Sequence, residues 1–310
     1  MSTEYQHKPV LLEESINALA VKKEGIYIDA TFGRGGHSQY ILNKLGAKGR
    51  LIAFDKDPQA IATAHEKFAH DSRFSIFHGS FAQIEDYLKE QDLCGDVDGI
   101  LLDLGVSSPQ LDDPQRGFSF QSSGPLDMRM NDQQGISAAQ WLNKAKEVEI
   151  AKVLYEYGEE RYSRRIAKAI VIAREKEPLS DTKQLAEIVK VAHPRWEKKK
   201  HPATRSFQGI RIFINNELGD LDDCLEQSYR CLAKEGIMAV ISFHSLEDRK
   251  VKRFFKKMVD GEKLPPDLPI IDSAVNRKMV LEGKRIKAGR SELADNPRSR
   301  SAVLRVARKL

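Results

Sequence analysis

Three features suited to binding a nucleotide each follow an apolar run in the first third of the chain. The turn 31–37 carries three glycines, and without side chains its backbone can approach a ligand closely. Asp55 closes the next apolar run about twenty residues on, where a carboxylate can accept both hydrogen bonds of a ribose diol. Asp103 closes a later run, within reach of an adenine. The pattern predicts that all three meet at one edge of a parallel sheet.

The turn does not match the dinucleotide fingerprint. That fingerprint needs a third glycine for helix packing, and Ser38 stands there instead. S-adenosyl-L-methionine has no phosphate; it needs backbone contacts, an acid for its ribose and a partner for its α-ammonium, a role that suits Asp29. The residues therefore favour S-adenosyl-L-methionine as cofactor. A nicotinamide-dependent dehydrogenase is the rival reading, but neither its second nucleotide-binding half nor a proton-relay residue is evident.

Residues after two of the apolar runs could hold a target amine. Ser108 and Pro109 can present a hydroxyl and a carbonyl oxygen, and acceptors aimed at an NH2 group favour the pyramidal nitrogen of the transition state. An ordinary proline turn explains the pair equally well. His244, after a later run, could contact the base or the RNA backbone, although a histidine there is more often structural. No general base is required, because the amine can lose its proton after transfer.

The apolar runs alternate with amphipathic segments, which predicts an α/β fold with a parallel sheet. Predicted strands lie at 26–30, 51–54, 74–77, 97–102, 237–243 and 303–307, with a further strand near 278–281 in the poorly specified loop 261–300. Residues 107–135 are typical of a long ordered loop, and 137–191 are helical throughout. A helix over 207–232 is expected to end at Gly236. The chain thus divides into a Rossmann-like domain at 1–110 and 205–310 and an inserted helical domain at 111–204.

Composition narrows the class of protein. The 310 residues carry a formal net charge of +5 with 41% hydrophobic residues, which is ordinary for a globular protein. Three scattered cysteines form no CxxC pair or His/Cys cluster, so neither disulfides nor a metal site is predicted, and a reducing cytoplasm fits. The N-terminus does not resemble a signal peptide, and no apolar run is long enough to span a membrane.

Basic residues are segregated into three stretches, which together favour an RNA partner although each alone is typical of a solvated surface. They are Arg195, Lys198, Lys199, Lys200, His201 and Arg205; Arg249, Lys250, Lys252, Arg253, Lys256 and Lys257; and Arg298, Arg300, Arg305 and Arg308.

Long ordered motifs make the chain resemble the RsmH (MraW) family of 16S rRNA cytidine N4-methyltransferases along nearly its whole length. They are HKPVLLEE at 7–14, DATFGRGGHS at 29–38, DGILLDLGVSSPQLDDPQRGFSF at 98–120, GPLDMRM at 124–130, HPATRSFQ at 201–208, SFHSLEDR at 242–249 and NPRSRSAVLR at 296–305.

The resemblance implies a Rossmann-like S-adenosylmethionine methyltransferase sheet with an inserted all-helical domain that helps to hold the substrate. The implied cofactor contacts are Gly35, Gly36, His37, Asp55, Phe81, Asp103 and Gln110, with Phe81 packed against the adenine. The implied reaction is N4-methylation of a cytidine in the decoding region of 16S rRNA, within the assembled small ribosomal subunit. The Asp/Asn-Pro-Pro-aromatic signature of wider amino-methyltransferases is absent, and Ser108-Pro109-Gln110 is a partial substitute.

Two alternatives stay open from the sequence. A non-catalytic RNA-binding ribosome assembly factor could keep the same fold without the chemistry. A homodimer is compatible with the sequence, which does not fix the oligomeric state.

Overall fold

The computed structural model describes residues 9–195, 201–261 and 276–310. Its strands are β1 (Ile26–Asp29), β2 (Arg50–Asp55), β3 (Phe74–His78), β4 (Val97–Asp103), β5 (Leu232–Ser242), β6 (Met279–Leu281), β7 (Ile286–Lys287) and β8 (Val303–Lys309). Its α-helices are α1 (Leu12–Ala18), α2 (Gly36–Lys44), α3 (Pro58–Phe68), α4 (Ile84–Glu90), α5 (Ser108–Asp112), α6 (Ala138–Lys144), α7 (Glu147–Glu156), α8 (Ser163–Arg174), α9 (Thr182–Ala192), α10 (Ala203–Ile214), α11 (Glu217–Cys231), α12 (Ser245–Asp260) and α13 (Arg290–Asp295). The chain forms two compact units, 1–105 with 218–310, and 106–217.

The first unit is an α/β unit built on one sheet. Its strand order is β3-β2-β1-β4-β5-β8-β6, with β7 also paired to β8. The strands β1 to β5 are mutually parallel, and β8 runs antiparallel to β5. Because β1 lies between β2 and β4, the strand order reverses there, and open sheets of this kind bind ligands at the carboxyl ends of the strands beside the reversal. The Rossmann-like sheet expected from the sequence is confirmed.

Burial explains why the central strands are continuous apolar runs. Leu51, Phe54, Ile100 and Leu101 are fully buried, as expected for parallel strands covered on both faces. Local sequence fixes where the covering helices begin. Asp57 accepts a hydrogen bond from the backbone N–H of Gln59 and caps α3, so the chain leaves β2 and turns at once into a helix.

The second unit is helical, as the sequence predicted. Its core packs apolar faces of α6 to α10 together, around residues such as Leu142, Leu154, Ile166 and Ile210. The bridge Pro125↔Asp181 is its β-type pairing among the described residues. In the described part of the chain, no helix combines the length and the apolar character that crossing a membrane requires.

Several predicted elements differ from the structure. The segment 107–135 contains α5 and a 3-10 turn at Pro114–Arg116, because Ser107 and Gln110 form a capping box that starts a helix. The loop 261–300 contains β6, as predicted, but also β7 and α13, which were not. Lys198, Lys199 and Lys200, together with residues 262–275, lie outside the described residues.

The helix predicted over 207–232 is two helices. The break follows Ile214, and Asn216 takes a left-handed conformation with φ 51°. Gly236 does not end a helix: α11 ends at Cys231, and Gly236 lies within β5. A Cβ at position 236 would lie 2.8 Å from the carbonyl oxygen of Val97, so the glycine permits close approach of β4.

The predicted domain boundaries, 110/111 and 204/205, stay a prediction. The compact units meet at 105/106 and 217/218. The later second boundary has a physical reason, because α10 carries Phe207 and Ile210 into the core of the helical unit.

Candidate functional site

Four carboxylates stand at or just after the carboxyl ends of the parallel strands. Asp29, Asp55 and Asp103 are the last residues of β1, β2 and β4, and Glu247 lies in the first turn of α12, directly after β5. Because these strands are parallel, their carboxyl ends share one edge of the sheet. The structure therefore brings Asp55 and Asp103 to one edge, as predicted, and adds Glu247, which was not singled out.

Asp29 shapes the glycine turn. Its Oδ2 accepts a hydrogen bond from the Ser38 hydroxyl at 2.6 Å, and its Oδ1 accepts one from the backbone N–H of Thr31 at 3.2 Å. The residue is only 1% exposed, and burial raises the pKa of its carboxyl. Both oxygens thus support the turn, and the contact between Asp29 and an α-ammonium that the sequence suggested stays a prediction.

The glycines of the turn are required by the protein's own packing. Gly35 has a left-handed backbone with φ 76°, and a Cβ there would lie 2.7 Å from both Phe32 and Phe68. A Cβ at Gly36 would lie 2.2 Å from Pro9. The close approach that the sequence assigned to a ligand is thus also a close approach of core side chains, which fixes the path of the chain into α2.

Asp55 is tied to the glycine turn. Its Oδ2 accepts a hydrogen bond from the backbone N–H of Gly33 at 2.7 Å, and its Oδ1 accepts one from Asp57 at 2.8 Å. Each oxygen keeps a second lone pair, so the partly exposed carboxylate can still accept from a diol. Burial raises the pKa of Asp55 to about 6, against the lowering effect of these two backbone bonds.

Asp103 has a buried oxygen with no hydrogen-bond partner, Oδ1. Its other oxygen lies 3.8 Å from Nδ1 of the buried His37, whose Nε2 donates to the carbonyl oxygen of Val10 at 3.2 Å. Burial, with Asp29 and Glu247 nearby, raises the pKa of Asp103 well above its usual range. A buried polar atom left unpaired is costly, so Oδ1 is the part of this edge that most needs a ligand.

Phe81 lies on a short 3-10 turn after β3, and residues of α11 hold this turn by hydrogen bonds. The turn begins at Ser80, whose hydroxyl donates to Asp220 on α11. Asp220 also pairs with Lys56, the residue after Asp55, at 2.5 Å. A second residue of α11, Gln227, donates to the carbonyl oxygen of Ala82 at 2.7 Å. The sequence suggested Phe81 only through a resemblance, and Asp220 not at all.

His244 caps α12. Its Nδ1 accepts from the backbone N–H of Glu247 at 3.5 Å, so in the neutral ring the proton is on Nε2. That Nε2 is buried and lies 3.1 Å from Oε1 of Glu247 without forming a hydrogen bond. Glu247, only 2% exposed, accepts from the backbone N–H of Phe243 at 2.8 Å. The three-residue spacing of this capping box, from 244 to 247, is the sequence signal from which Glu247 could have been predicted.

Ser108, Pro109 and Gln110 belong to the helical unit and form the start of α5. Gln110 is buried, and its side-chain oxygen accepts from the backbone N–H of Ser107 at 2.9 Å. The carbonyl oxygen of Pro109 accepts from the backbone N–H of Asp113 at 2.9 Å. These three residues therefore have structural roles in a helix start, which the loop interpretation of the sequence did not include.

The sheet edge suits a cationic nucleoside. The cations next in sequence to the glycine turn and to Asp55 already have partners within the protein. Arg34 donates to the carbonyl oxygen of Gly33 and to Gln59, and Lys56 pairs with Asp220. Asp55, which is ionised above its pKa of about 6, would repel a pyrophosphate but attract a sulfonium and an ammonium group. The ribose acceptor at Asp55 and the unpaired Oδ1 of Asp103 therefore fit S-adenosyl-L-methionine, in agreement with the cofactor predicted from the sequence.

Comparison with solved structures returns methyltransferases. An rRNA methylase from Streptococcus thermophilus is 11% identical with a TM-score of 0.40, covering 96% of this chain and 95% of that one. A candidate rRNA methylase from Clostridium thermocellum is 13% identical with a TM-score of 0.47, covering 98% and 100%. A candidate methyltransferase from Streptococcus mutans, solved with SAH, is 12% identical with a TM-score of 0.41, covering 98% and 100%.

Assignment to a family rests on the sequence. The model of the MraW methylase family matches residues 4–310, which is almost the entire chain. This match includes the glycine turn, Asp55, Asp103 and the segment around His244. The chain therefore belongs to the MraW methylase family, whose methyl donor is S-adenosyl-L-methionine.

Proposed function

We propose that the chain methylates N4 of one cytidine in the decoding region of 16S rRNA, acting on the small ribosomal subunit in the cytoplasm. The observation that supports it best is the pair of carboxylates at the ends of β2 and β4. Asp55 is anchored by two backbone N–H groups, and Asp103 keeps a buried oxygen without a partner. We assign these two groups to the adenosyl part of the donor.

When bound, S-adenosyl-L-methionine supplies an electrophilic methyl group on a sulfonium. Asp55 would accept hydrogen bonds from the ribose hydroxyls, and Asp103 would accept through Oδ1 from a donor on the adenosyl part. Phe81 would pack on the adenine, and Gly35, Gly36 and His37 would line the ligand beside the turn. Gln110 completes the set of proposed contacts.

The target amine needs to be held and reshaped rather than deprotonated. Its lone pair is conjugated with the cytosine ring, so acceptors that hold its hydrogens stabilise the pyramidal transition state more than the ground state. Ser108 and Pro109 are the proposed acceptors. His244 is the proposed donor to the base, because its buried Nε2–H has no hydrogen-bond partner among the described residues.

Methyl transfer from labelled S-adenosyl-L-methionine to small subunits that lack the modification tests the proposal. We expect label on one cytidine of 16S rRNA and, after digestion, mass spectrometry that identifies N4-methylcytidine. Label on another atom or another RNA would contradict the proposed substrate. Tight binding to the subunit with no transfer would instead support the non-catalytic assembly factor.

A further inference from the structure

Four of the six cations of α12, its lysines, divide into two pairs with different partners. Lys250 pairs with Asp222, and Lys257 pairs with Glu226 at 2.9 Å. Both of these acids lie on α11. Lys252 and Lys256 are exposed, and among the described residues only Lys256 of the two has an acidic neighbour, the exposed Asp260 at 3.9 Å. Lys252 and Lys256 are four residues apart and so lie on the same side of the helix. We call Lys252 and Lys256 the free pair, because neither pairs with an acid of α11, and Lys250 and Lys257 the neutralised pair.

The free pair borders a hollow of about 280 Å³. It is lined by Lys252, Phe255, Lys256, Val259, Asp260, Leu281 and Arg305. Its apolar part includes Leu281 on β6, a strand at the end of the sheet order, and this side chain is 48% exposed. Arg305 is compensated by a two-bond contact with Asp248, at 2.7 and 3.1 Å. The remaining positive charge of the hollow therefore comes from Lys252 and from Lys256, which Asp260 balances only in part, at 3.9 Å.

Polyanion binding explains this arrangement better than docking on a membrane. The apolar residues Val251, Phe254 and Met258 of α12 are buried, so beyond the partly exposed Val259 the helix offers little apolar surface for insertion into a bilayer. Phosphate groups need cations that are not already paired, with a small apolar surface beside them for a sugar or base. The hollow offers both features, the lysines of the free pair and the apolar side chains of Val259 and Leu281.

We propose that this hollow binds one nucleotide of the RNA substrate away from the methylated base. The phosphate lies between Lys252 and Lys256, and the sugar or base packs on Leu281 and Val259. The inference rests on the proposed function, because it takes the RNA substrate from there. It assigns to α12 and β6 a separate task, which is holding the RNA rather than transferring the methyl group.

Paired charge changes on the same helix test the site. One double variant carries Lys252→Gln and Lys256→Gln. Its matched control carries Lys250→Gln and Lys257→Gln. Binding to small subunits that lack the modification is measured across a range of salt concentrations. We expect the first variant to reduce the slope of log affinity against log salt by about 0.7, since the site holds one phosphate and each phosphate contact with single-stranded RNA contributes about 0.7. The control should keep the slope of the unchanged protein.

Further variants separate the parts of the hollow. Leu281→Ala should weaken subunit binding without altering the salt slope, because it removes an apolar contact and no charge. A photo-crosslinking residue at position 253, beside the free pair, should capture rRNA. Equal slopes for the two double variants, or capture of a ribosomal protein without rRNA, would overturn the site.

Affinity for S-adenosyl-L-methionine is the internal reference. We expect it to be unchanged in all of these variants, since none touches the carboxylate edge. A lowered slope in the free-pair variant, together with a wild-type protein that transfers no methyl group, would support the RNA site and count against the proposed catalysis alone. The two proposals can therefore fail separately.

Discussion

The carboxylates at the ends of β1, β2 and β4 differ in what their surroundings leave them able to bind. Asp29 has both oxygens satisfied inside the turn, whereas Asp103 has a buried oxygen with no partner. Asp55 stands between these cases, because two backbone N–H groups orient it and spare lone pairs remain. The three aspartates therefore differ in exposure and hydrogen bonding: Asp29 is buried within the turn, whereas Asp55 and Asp103 are partly exposed.

Cofactor affinity should depend on the ionisation of Asp55. Its pKa in the free protein is raised to about 6, and only the ionised carboxylate can accept from both ribose hydroxyls. Bound cofactor favours the ionised form and lowers this pKa, so affinity should rise with pH through about 6 and then level off. Calorimetric titration with S-adenosyl-L-methionine at several pH values measures this.

The substitution Asp55→Asn should remove that pH step and weaken binding at pH above it by about 1–3 kcal/mol, because an amide cannot accept from both hydroxyls and both backbone groups. Asp71→Asn is the matched control, since Asp71 pairs with Arg73 before β3 begins. A pH step that persists in Asp55→Asn would assign it to another group.

His244→Asn separates the helix cap from contact with the target. Asparagine is a good N-cap residue, so the free energy of unfolding should change by only a few tenths of a kcal/mol. Methyl transfer should nevertheless fall about 10-fold or more, because the ring Nε2–H is lost. Thermal unfolding and single-turnover transfer are measured on the same preparation. Full activity in a stably folded variant would leave His244 with its capping role alone.

Residue positions at this edge could be read from the sequence, but orientations could not. Asp55 and Asp103 end apolar runs, and that is enough to place them at the carboxyl ends of parallel strands. Whether a side chain faces inward depends on partners elsewhere in the chain, such as Ser38 for Asp29. Asp220 was missed for the same reason, since it reaches Ser80 across 140 positions of sequence.

The turn between β1 and α2 depends on glycine for both its backbone and its packing. Gly35→Ala should cost about 1–2 kcal/mol for the left-handed backbone and about 1–3 kcal/mol more for the collision with Phe32 and Phe68. Gly283→Ala is the matched control, because Gly283 has φ 79° with open space around it. Urea unfolding should therefore show a clearly larger loss of stability for Gly35→Ala. Equal losses would mean that packing at position 35 relaxes without cost.

The strands could be predicted because a strand that is buried on both faces consists of a continuous run of apolar residues. Short helices were not: α5 and α13 have five and six residues, too few to show a helical period. Gly236 was misread because a glycine after a helical segment is typical of a helix end. Here the tertiary contact with Val97 decides its place in β5.

The whole molecule keeps its net charge small while separating its charges. A formal charge of +5 on 310 residues arises from 50 basic and 45 acidic residues. Many basic residues are neutralised locally, including Arg230 by Glu85 and Arg308 by Glu235 and Glu282. Total charge is therefore a poor guide to RNA binding, and the distribution of unneutralised cations is the better one.

Arg298 and Arg300 offer a second surface on which RNA binding can be tested. Both are exposed on the 3-10 turn Pro297–Ser301. Arg298→Ala combined with Arg300→Ala should lower the salt slope of subunit binding by about 1.4, if each arginine contacts one phosphate. The control combines Arg230→Ala with Arg308→Ala, which removes the same charge from neutralised positions. An unaltered slope in the first variant would remove this turn from the RNA surface.

Calorimetric titration of the protein with S-adenosyl-L-methionine and with NADH tests most directly whether the carboxylate edge is a methyl-donor site. We expect S-adenosyl-L-methionine to bind one site per chain, NADH not to bind, and Asp103→Asn to weaken the methyl donor by about 1–3 kcal/mol through loss of its carboxylate acceptor. Binding of NADH in place of S-adenosyl-L-methionine, or donor affinity unchanged in both Asp55→Asn and Asp103→Asn, would contradict the assignment of this edge.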